Sequence, residues 1–543
     1  MTESKNDLVY LKSNIVSEAL FNQWYANSHL LSPLSSGLNI KERHVKIMES
    51  YIEDPKLHMS AVKNPALRGG PFVNFKNEQV TEVKVLLEKT FSDNKDLIEL
   101  ADAFFELNEM LEKKAKGGSL IELYRDIPEK LKGYVELVYD LNNRASFRVY
   151  ELLLYKKYYK ESNQSILLQL IDSDDSRPFV LSTPRLNRPD KIKLDIPFKS
   201  QILDELFRMI RIPDSYSRIK TLLQISESDD ELFRSFFSET PPEKYHEYDE
   251  SGIRVRYFGH ASILLETKEL NILVDPVISY EYDTNISRYT YNDLPQEIDY
   301  LLITHNHQDH VNIETLIQLR HKVKKVIVPR CGLGNVQDPS LKIMLNAIGF
   351  DNVAELSELE TIELDKCAIT GLPFYGEHAD LDIQSKICFH VRFENDLKVV
   401  LASDSCNIQP ETYDIVHDII GDIDILFLGM ECDGAPLSWV YGSFMPKTLE
   451  KEKDQSRRLA GSDYEQAFKM VKSFNPTEIF VYAMGMEPWL EYISSVKYTD
   501  ESRPIKESNR LIEKCREIGL NAERLYGEKM LKYDKNDTSE VFI

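Results

Sequence analysis

Long apolar runs and paired cysteines are both missing from this sequence. No apolar run approaches the ~20 residues that a membrane-spanning helix needs. The first residues, MTESKNDLVY, lack the basic start and apolar stretch of a secretion signal. The six cysteines all lie in the second half of the chain without any C-x-x-C pair, so we expect reduced thiols. These absences predict a cytoplasmic protein with no membrane partner.

Positively charged residues are fewer than negatively charged ones. The 543 residues include 66 Lys and Arg against 89 Asp and Glu, which gives a net charge of -23. A nucleic-acid-binding surface needs clustered Lys and Arg to neutralise phosphates, so we expect no nucleic-acid partner. Hydrophobic residues make up 42% of the chain, which is enough for sizeable cores. A chain of this length is expected to form roughly two to four domains.

The two halves of the chain differ in their residue patterns. A polar stretch with two consecutive prolines, Glu239–Ser251, separates them, so we predict domains at residues 1–245 and 246–543. Before this stretch, apolar residues recur at helical spacing, which predicts a mainly α-helical domain. The predicted helices are Val80–Phe91, Asp96–Lys113, Leu120–Tyr139, Ser146–Tyr159, Lys199–Ile210 and Tyr216–Ile225, with short strands at Arg177–Leu181 and Lys191–Ile196.

After the boundary, short apolar strands alternate with loops. The predicted strands are Arg254–Tyr257, Ser262–Glu266, Ile272–Val274, Tyr300–Ile303, Lys325–Val328, Lys386–Phe393, Lys398–Ala402, Ile423–Leu428 and Glu478–Tyr482. Predicted helices lie at Ile313–His321, Asp463–Phe474 and Ile505–Ile518. Strands that come first, with helices interspersed later, predict two sheets with helices on their outer faces. The fold class of the whole chain is therefore predicted to be α+β.

Four side chains that bind metals are concentrated in the short segment Thr304–His310. His305 and His307 are two residues apart, so they face the same side of an extended chain. Asp309 and His310 follow after a short bend and can be aimed at a second ion. The apolar run before them predicts a buried strand, whose carboxyl end would hold the ligands rigidly. The spacing therefore predicts a site for two metal ions.

Polar segments at the ends of other predicted strands extend this pattern, and with them the sequence resembles the metallo-β-lactamase superfamily. The H-x-H-x-D-H motif of that family is matched by His305, His307, Asp309 and His310. Its remaining motifs correspond to Gly259–Ser262, Asp275, Gly376–Asp380 and the metal-bridging Asp404. The resemblance implies an αββα sandwich over about residues 253–530 and two bound metals. It leaves the reaction open, because the superfamily contains hydrolases, reductases and oxygenases.

Three departures from the superfamily pattern narrow the choice. In the loop that usually presents a histidine ligand, Glu377 precedes His378, and either side chain could bind a metal. The stretch after the last predicted strand, residues 481–487, contains no histidine. A long helical domain precedes the sandwich. Together these features resemble the dinuclear-iron β-hydroxylases of chloramphenicol biosynthesis and their relatives.

That second resemblance implies an activity, cofactors and partners. Enzymes of this family hydroxylate the β-carbon of an amino acid that is held as a thioester on a peptidyl carrier protein. They use two iron ions and O₂, and an electron-donor protein or a small reductant would supply the electrons. The resemblance also implies that Glu377 is a metal ligand. It implies that the N-terminal domain shapes the substrate entrance and supports a homodimer.

The donor set itself favours iron over zinc. Two histidines and one carboxylate at one metal are typical of Fe(II) sites that activate O₂. Zinc hydrolases more often keep a nitrogen-rich tetrahedral set. We expect Asp404 to bridge the metals and, with Glu377, to take part in catalysis. The expected metal ligands are His305, His307, Asp309, His310, Glu377 and Asp404.

Several neighbouring residues keep alternative interpretations. His260 is a catalytic group facing the substrate, a partner that orients a ligand, or a core histidine. Asp275 is expected to orient a ligand histidine rather than to bind metal. Glu431 could contact a ligand or the substrate amine, and Glu487 could replace the missing histidine as a ligand. Arg457-Arg458 either binds the phosphate of a phosphopantetheine arm or lies in a solvated loop.

The leading hypothesis is therefore an O₂-dependent diiron monooxygenase. The first alternative is a dizinc hydrolase of an ester, a thioester or a phosphodiester, with a metal-bound hydroxide as nucleophile. The second alternative is a binding protein that retains the fold without catalysis. The sequence does not name the amino acid, the carrier protein or the electron donor.

Overall fold

The computed structural model describes residues 7–75, 78–174, 177–243 and 245–534. The N-terminal half of the chain is mainly helical and contains three small sheets. Its helices are α1 (Ser28–Leu31), α2 (Pro33–Asn39), α3 (Lys46–Glu53), α4 (Pro55–Val62), α5 (Val80–Asp93), α6 (Lys95–Lys114), α7 (Glu151–Tyr158), α8 (Gln201–Arg208), α9 (Tyr216–Leu222) and α10 (Asp230–Ser235). Its strands are β1 (Leu8–Leu11), β2 (Ile15–Phe21), β3 (Trp24–Tyr25), β4 (Val135–Tyr139), β5 (Ala145–Val149), β6 (Gln164–Leu170), β7 (Ile192–Leu194), β8 (Asp214–Ser215) and β9 (Phe237–Ser238). They pair in the orders β8-β1-β9, β3-β2-β6-β7 and β4-β5.

Helix α6 shows why the predicted helices form. Its buried side chains recur at helical spacing and include Leu97, Leu100, Phe104, Leu107 and Leu111. An acidic residue in its first turn and two lysines in its last turn complement the helix dipole. Helices α5, α6, α8 and α9 confirm four of the predicted helices.

Other predictions for the N-terminal half are wrong. Leu120–Tyr139 is not a helix: it forms two 3₁₀ turns followed by strand β4. Pro128 disfavours helical backbone at the residue before it, and the alternating burial of VELVY suits a strand. The predicted helix Ser146–Tyr159 begins as strand β5, and only its second part is helix α7. Residues 177–181 form no strand, whereas the strand predicted at Lys191–Ile196 is confirmed as β7.

Two seven-stranded sheets form the C-terminal half. The strands are β10 (Ile253–Tyr257), β11 (Ile263–Glu266), β12 (Asn271–Val274), β13 (Ile298–Leu302), β14 (Val323–Pro329), β15 (Val353–Leu356), β16 (Thr361–Glu363), β17 (Cys367–Leu372), β18 (Cys388–Phe393), β19 (Lys398–Leu401), β20 (Ile425–Gly429), β21 (Glu478–Tyr482), β22 (Asn521–Arg524) and β23 (Lys529–Tyr533). The helices are α11 (Ile313–Leu319), α12 (Leu341–Ala347), α13 (Pro410–Ile420), α14 (Ser438–Tyr441), α15 (Lys451–Ser456), α16 (Tyr464–Phe474), α17 (Glu491–Ser494) and α18 (Arg503–Glu517). The sheet orders are β15-β14-β13-β12-β11-β10-β23 and β16-β17-β18-β19-β20-β21-β22.

The two large sheets stack with helices outside them, which confirms the predicted αββα sandwich. One apolar cluster lies between the sheets and includes Ile263 and Phe389. A second cluster, which includes Met470, packs α13, α16 and α18 against the outer face of the second sheet. On the outer face of the first sheet, Leu301 belongs to one cluster that extends through α11 and α12 to Leu38 of the N-terminal half. The two halves therefore share a continuous core.

The structure bears on two earlier expectations, that the cysteines are reduced and that no helix spans a membrane. All six cysteines are free thiols, and five of them are buried, as expected for reduced core residues. Among the described residues, no helix combines the length and the apolar character that crossing a membrane requires.

A buried ionic network also joins the halves. Glu18, on strand β2, accepts two hydrogen bonds of 2.8 Å from the guanidinium of Arg185. Arg177 lies 3.7 Å from Glu18 and donates a 2.9 Å hydrogen bond to Glu314 on helix α11. Tyr25 donates a further 2.8 Å bond to Glu314. Because α11 follows the His305–His310 segment directly, this network ties the N-terminal sheet to the helix behind that segment.

Replacing Glu18 by Gln tests how much this network stabilises the fold. Removing one charge of a buried network leaves its cations uncompensated, so we expect a loss of about 3–5 kcal/mol in the free energy of unfolding. Urea unfolding measures this loss. Glu109→Gln, which breaks an exposed pair with Lys113, is the control and should change stability by less than about 1 kcal/mol.

The pH dependence of stability gives a second readout of the same variant. Burial opposes ionisation of Glu18, but Arg185 and Arg177 hold the pKa of this carboxyl below its usual value of 4.5. A lowered folded-state pKa contributes stability above about pH 4.5 and loses it as the pH falls further. Glu18→Gln should therefore flatten the acid limb of the stability curve. An unchanged acid limb would contradict this assignment.

Candidate metal centre and its cavity

Loops at the carboxyl ends of several strands meet at one edge of the sandwich. His260 lies in the β10–β11 turn, and Asp275 directly follows β12. The segment His305–His310 follows β13, Glu377 lies between β17 and β18, and Asp404 follows β19. Since neighbouring parallel strands end at the same edge, residues that are far apart in sequence come together here.

Strained backbone marks the same loops. His260, Asp275, Glu377 and Ser403 all adopt positive φ values, of 52°, 41°, 64° and 49°. Such conformations cost non-glycine residues on the order of 1 kcal/mol or more, and they persist where the surrounding structure fixes them. Positive φ at so many positions around one rim is typical of a functional site.

The first donor group consists of His305, His307 and Glu377, which are buried and offer ligand atoms within 4.8 Å of one another. His307 Nδ1 lies 2.9 Å from Glu377 Oε1. His305 Nε2 lies 3.6 Å from Glu377 Oε2. This is the two-histidine, one-carboxylate set that the sequence predicted.

The second donor group shares His305 and adds His310 and Asp404. His310 Nε2 lies 3.1 Å from Asp404 Oδ2, and His305 Nε2 lies 3.8 Å from the same oxygen. Gly429, at the end of β20, allows this close packing, because a Cβ atom there would lie 2.7 Å from Asp404 Oδ1. Asp404 thus lies beside both groups, as expected for a bridging carboxylate.

Unpaired polar atoms within this cluster test whether it suits metal ions. His305 Nε2, Glu377 Oε2 and Asp404 Oδ1 are buried and have no hydrogen-bond partner among the described residues. Leaving such atoms unsatisfied costs about 1–3 kcal/mol each. Nitrogen and carboxylate donors that converge in this way suit two iron ions. The residues present therefore fit a dinuclear iron centre.

The neutral state of the His305 ring favours metal binding at the first group. Burial, followed by the neighbouring imidazoles, lowers the pKa of His305 well below its usual value of 6.5, so the ring keeps a free lone pair. Burial raises the pKa of Glu377 to about 7, against the opposing effect of His307. A cation would favour the ionised carboxylate of Glu377.

Asp275 fixes the geometry of the second group, as the sequence predicted. Its carboxylate accepts a 2.8 Å hydrogen bond from the Thr304 backbone N–H and another bond from the Thr304 hydroxyl. His310 Nδ1 lies 2.9 Å from Asp275 Oδ2. A proton on Nδ1 donates to this carboxylate and leaves the His310 Nε2 lone pair directed towards Asp404. Such a carboxylate partner sets both the tautomer and the ring orientation of a histidine ligand.

His260 orients Asp309 instead of facing the cavity. Its Nδ1 accepts a 3.1 Å hydrogen bond from the Gly485 N–H, so the proton of the neutral ring lies on Nε2. Nε2 is 3.3 Å from Asp309 Oδ2. His260, Asp309 and His310 also offer ligand atoms within 4.8 Å, but this tautomer makes His260 a donor to Asp309. Of the three interpretations, the geometry supports the orienting partner.

Tyr441 contacts the first group, and the N-terminal half holds the helix that ends at Tyr441. The Tyr441 hydroxyl lies 3.2 Å from His307 Nε2, on the side of the ring opposite Glu377. Helix α14 ends at Tyr441, and its last turn is held by Arg43, which donates to the carbonyls of Trp439 and Val440 at 2.8 and 3.0 Å. Arg43 lies in a π-helical turn, Ile40–Val45, a conformation that often occurs at functional sites.

The positions of His378 and Glu487 bear on two open alternatives. Glu377 belongs to the first donor group, whereas His378 belongs to none of the candidate metal groups among the described residues. His378 stacks on His307 at 4.5 Å between ring centroids. Glu487 is likewise outside these groups and accepts a hydrogen bond from Tyr257. The alternatives of His378 and Glu487 as ligands therefore find no support.

A cavity of about 660 Å³ leads from this cluster to the surface. Its inner wall includes the buried side chains of His307, Glu377 and Asp404, and Glu431 lies beside them. Its outer wall includes the exposed Arg68, together with Phe72, Trp439, Val440, Ser438 and Arg458. The cavity is thus acidic inside and carries arginine at its mouth.

The two arginines singled out in the sequence have different positions. Arg457 Nε donates a 2.8 Å hydrogen bond to the Ala379 carbonyl and so fixes the Glu377 loop. Arg458 lines the cavity and lies 3.3 Å from Asp433. Sequence reasoning missed Arg43, Arg68 and Tyr441, because each acts across a long sequence separation without a local motif.

Comparisons with known proteins agree with this geometry. Residues 10–241 match the diiron non-heme β-hydroxylase N-terminal domain, and residues 254–435 match the β-lactamase superfamily domain. A curated relative from Streptomyces venezuelae, 4-amino-L-phenylalanyl-[CmlP-peptidyl-carrier-protein] 3-hydroxylase, is 36% identical over 96% of this chain and 99% of its own length.

Solved structures match over the whole chain as well. The crystal structure of CmlA, a diiron β-hydroxylase from Streptomyces venezuelae, has a TM-score of 0.90 at 35% identity and covers 97% of this chain and 99% of that one. A mutant of the CmlA β-hydroxylase has a TM-score of 0.88 at 34% identity, covering 97% and 100%. These matches favour the hydroxylase over the dizinc hydrolase. The resemblance predicted from His305–His310 and Glu377 is confirmed, and the chain belongs to the family of diiron non-heme β-hydroxylases.

Proposed function

We propose that this protein is a cytoplasmic enzyme that uses O₂ to hydroxylate the β-carbon of an amino acid tethered as a thioester to a peptidyl carrier protein. The observation that carries the proposal is the pair of buried donor groups at the inner end of an open cavity, in a chain of this family. The relative from Streptomyces venezuelae supports the substrate class, since its name specifies a carrier-bound amino acid.

In this proposal, His305, His307 and Glu377 would hold the first iron ion. Asp309 and His310 would hold the second, and Asp404, which lies beside both sets, would be shared between the ions. Residues 246–543 then carry the metal centre, and residues 1–245 supply Arg43 and Arg68 of the cavity wall.

The iron pair supplies the reduction of O₂ by two external electrons and two protons, with one oxygen atom entering a C–H bond and the other leaving as water. The residues of the chain itself hold the metal ligands in place and enclose the reacting carbon. Asp275 holds His310, and Tyr441 holds His307, so neither imidazole can rotate away. The buried inner wall of the cavity limits the access of water to the reacting carbon.

The shape and charge of the cavity suit an acylated phosphopantetheine arm. The aminoacyl end would enter the cavity while the carrier protein stays outside. The arm carries a phosphate near the carrier protein, and Arg68 is the exposed cation at the mouth. No ion pair or side-chain hydrogen bond engages Arg68 among the described residues. An arginine in this state is available to bind a phosphate.

Single-turnover oxidation tests the proposed activity. Iron-loaded, chemically reduced protein is mixed with carrier proteins bearing a panel of aminoacyl groups under ¹⁸O₂, and the released acyl groups are analysed by mass spectrometry. We expect one labelled hydroxyl group at the β-carbon of the accepted amino acid. Release of the unmodified amino acid without O₂ consumption, by a protein that retains zinc, would instead establish the dizinc hydrolase.

Asp275→Asn tests the positioning of His310. The amide cannot serve both Thr304 and His310 as the carboxylate does, so we expect iron affinity to fall about 10- to 100-fold. Iron per chain after titration with a chelator measures this change. Asp338→Asn is a matched control, because Asp338 is buried and binds Ser385 outside the metal groups. This control should lose stability but keep its iron, and equal iron loss in both variants would contradict the proposed role.

Arg68→Ala tests the phosphate contact. Because a charge-assisted contact at the mouth contributes to binding and not to the oxidation itself, we expect KM for the loaded carrier to rise about 10-fold with kcat unchanged. The same acyl group on pantetheine, which lacks the phosphate, should react equally well with native protein and variant. Arg125→Ala, at an exposed arginine paired with Glu122, serves as the control. A KM increase that persists with pantetheine would argue against phosphate recognition.

A further inference from the structure

Glu431 is an acidic residue of the inner cavity that the proposed metal centre does not use. It follows strand β20 and lines the cavity beside Asp404 and Glu377. Its backbone carbonyl accepts a 2.9 Å hydrogen bond from the Gly461 N–H, which fixes this turn. None of the candidate metal groups among the described residues includes Glu431.

The side chain of Glu431 also lacks a protein cation. Among the described residues, no Lys, Arg or His forms an ion pair with its carboxylate, and the neighbouring donor is the neutral hydroxyl of Tyr498. The other arginines of the cavity do not reach Glu431: Arg43 binds two carbonyls, Arg458 pairs with Asp433, and Arg68 lies at the mouth. A carboxylate enclosed in this way is costly unless something cationic meets it.

The substrate class supplies one cation at the right chemical position. In an aminoacyl thioester the carboxyl group is consumed by the bond to the arm, and the α-amino group stays free and protonated near neutral pH. The carbon that carries this ammonium is bonded directly to the β-carbon. A group that holds the ammonium therefore also fixes the carbon to be hydroxylated, relative to the metal centre.

We propose that Glu431 binds the α-ammonium group of the carrier-tethered amino acid and so directs its β-carbon towards the metal centre. This assignment rests on the function proposed above. Ammonium binding at the inner wall and phosphate binding at the mouth would recognise the two charged ends of one ligand. An acyl group whose nitrogen is already in an amide bond has no such charge, so hydroxylation must precede the reaction that forms the peptide bond.

Paired substrates on Glu431→Gln provide the test. The acyl group that native, iron-loaded enzyme hydroxylates is compared with its des-amino analogue on the same carrier, and kcat/KM and Kd are measured for both. Native enzyme should favour the amino form by about 10-fold or more. Glu431→Gln should lose this preference while binding the des-amino form as native enzyme does. Because both substrates are measured with the same protein preparation, a partly misfolded fraction lowers kcat/KM for both equally and leaves the ratio of the two values unchanged.

Further measurements separate the other outcomes. Glu431→Ala should lose the same preference, and Glu411→Gln, on the exposed surface of α13, should keep it. Iron per chain should be unchanged in all three variants. A preference that survives in Glu431→Gln, or a loss of iron from it, overturns the assignment and, in the second case, makes Glu431 a ligand. If native enzyme hydroxylates no carrier-bound amino acid, the proposed function fails, independently of Glu431.

Discussion

The buried carboxylate of Asp275 is the contact on which the rest of the site depends. It accepts hydrogen bonds from the Thr304 backbone and hydroxyl, and it lies 2.9 Å from His310 Nδ1. These bonds join the end of β12 to the start of the metal-binding segment. They also decide which nitrogen of His310 is free. Because the carboxylate is fully buried, water cannot replace a lost partner, and the arrangement is rigid.

The N-terminal half completes this site and does not merely precede it. Arg43 holds the carbonyls of the helix that ends at Tyr441, and Tyr441 reaches His307. A separate buried network runs from Glu18 through Arg177 to Glu314 on the helix behind the metal-binding segment. Since one apolar cluster also spans both halves, a displacement of the N-terminal half would also displace the metal ligands. The same contacts build the cavity wall that a carrier-bound substrate needs.

The charges around the cavity follow its proposed use. Carboxylates of Glu377, Asp404 and Glu431 face its inner end, where metal ions and an ammonium group would balance them. Arg68 lies at the mouth, where the phosphate of a phosphopantetheine arm would lie. A carboxylate in the loop that more often presents a histidine makes the first donor group typical of O₂-activating iron rather than of hydrolytic zinc. A few side chains at the strand ends thus adapt the sandwich to an oxidation reaction.

The sequence alone determined the sandwich and the metal-binding segment, because strand periodicity and the spacing of His305–His310 are local properties of the chain. The sequence wrongly predicted a helix at Leu120–Tyr139, because the apolar residues there fit both the spacing of a helix and the alternation of a strand. Pro128 decides between the two in favour of the strand. Tertiary structure decided what local pattern could not. The left-handed backbone at Glu377 places that carboxylate against the ring nitrogens of His305 and His307, whereas His378 stacks on the face of the His307 ring. Tyr441 meets His307 across 134 residues, and such a contact exists only once the chain has folded.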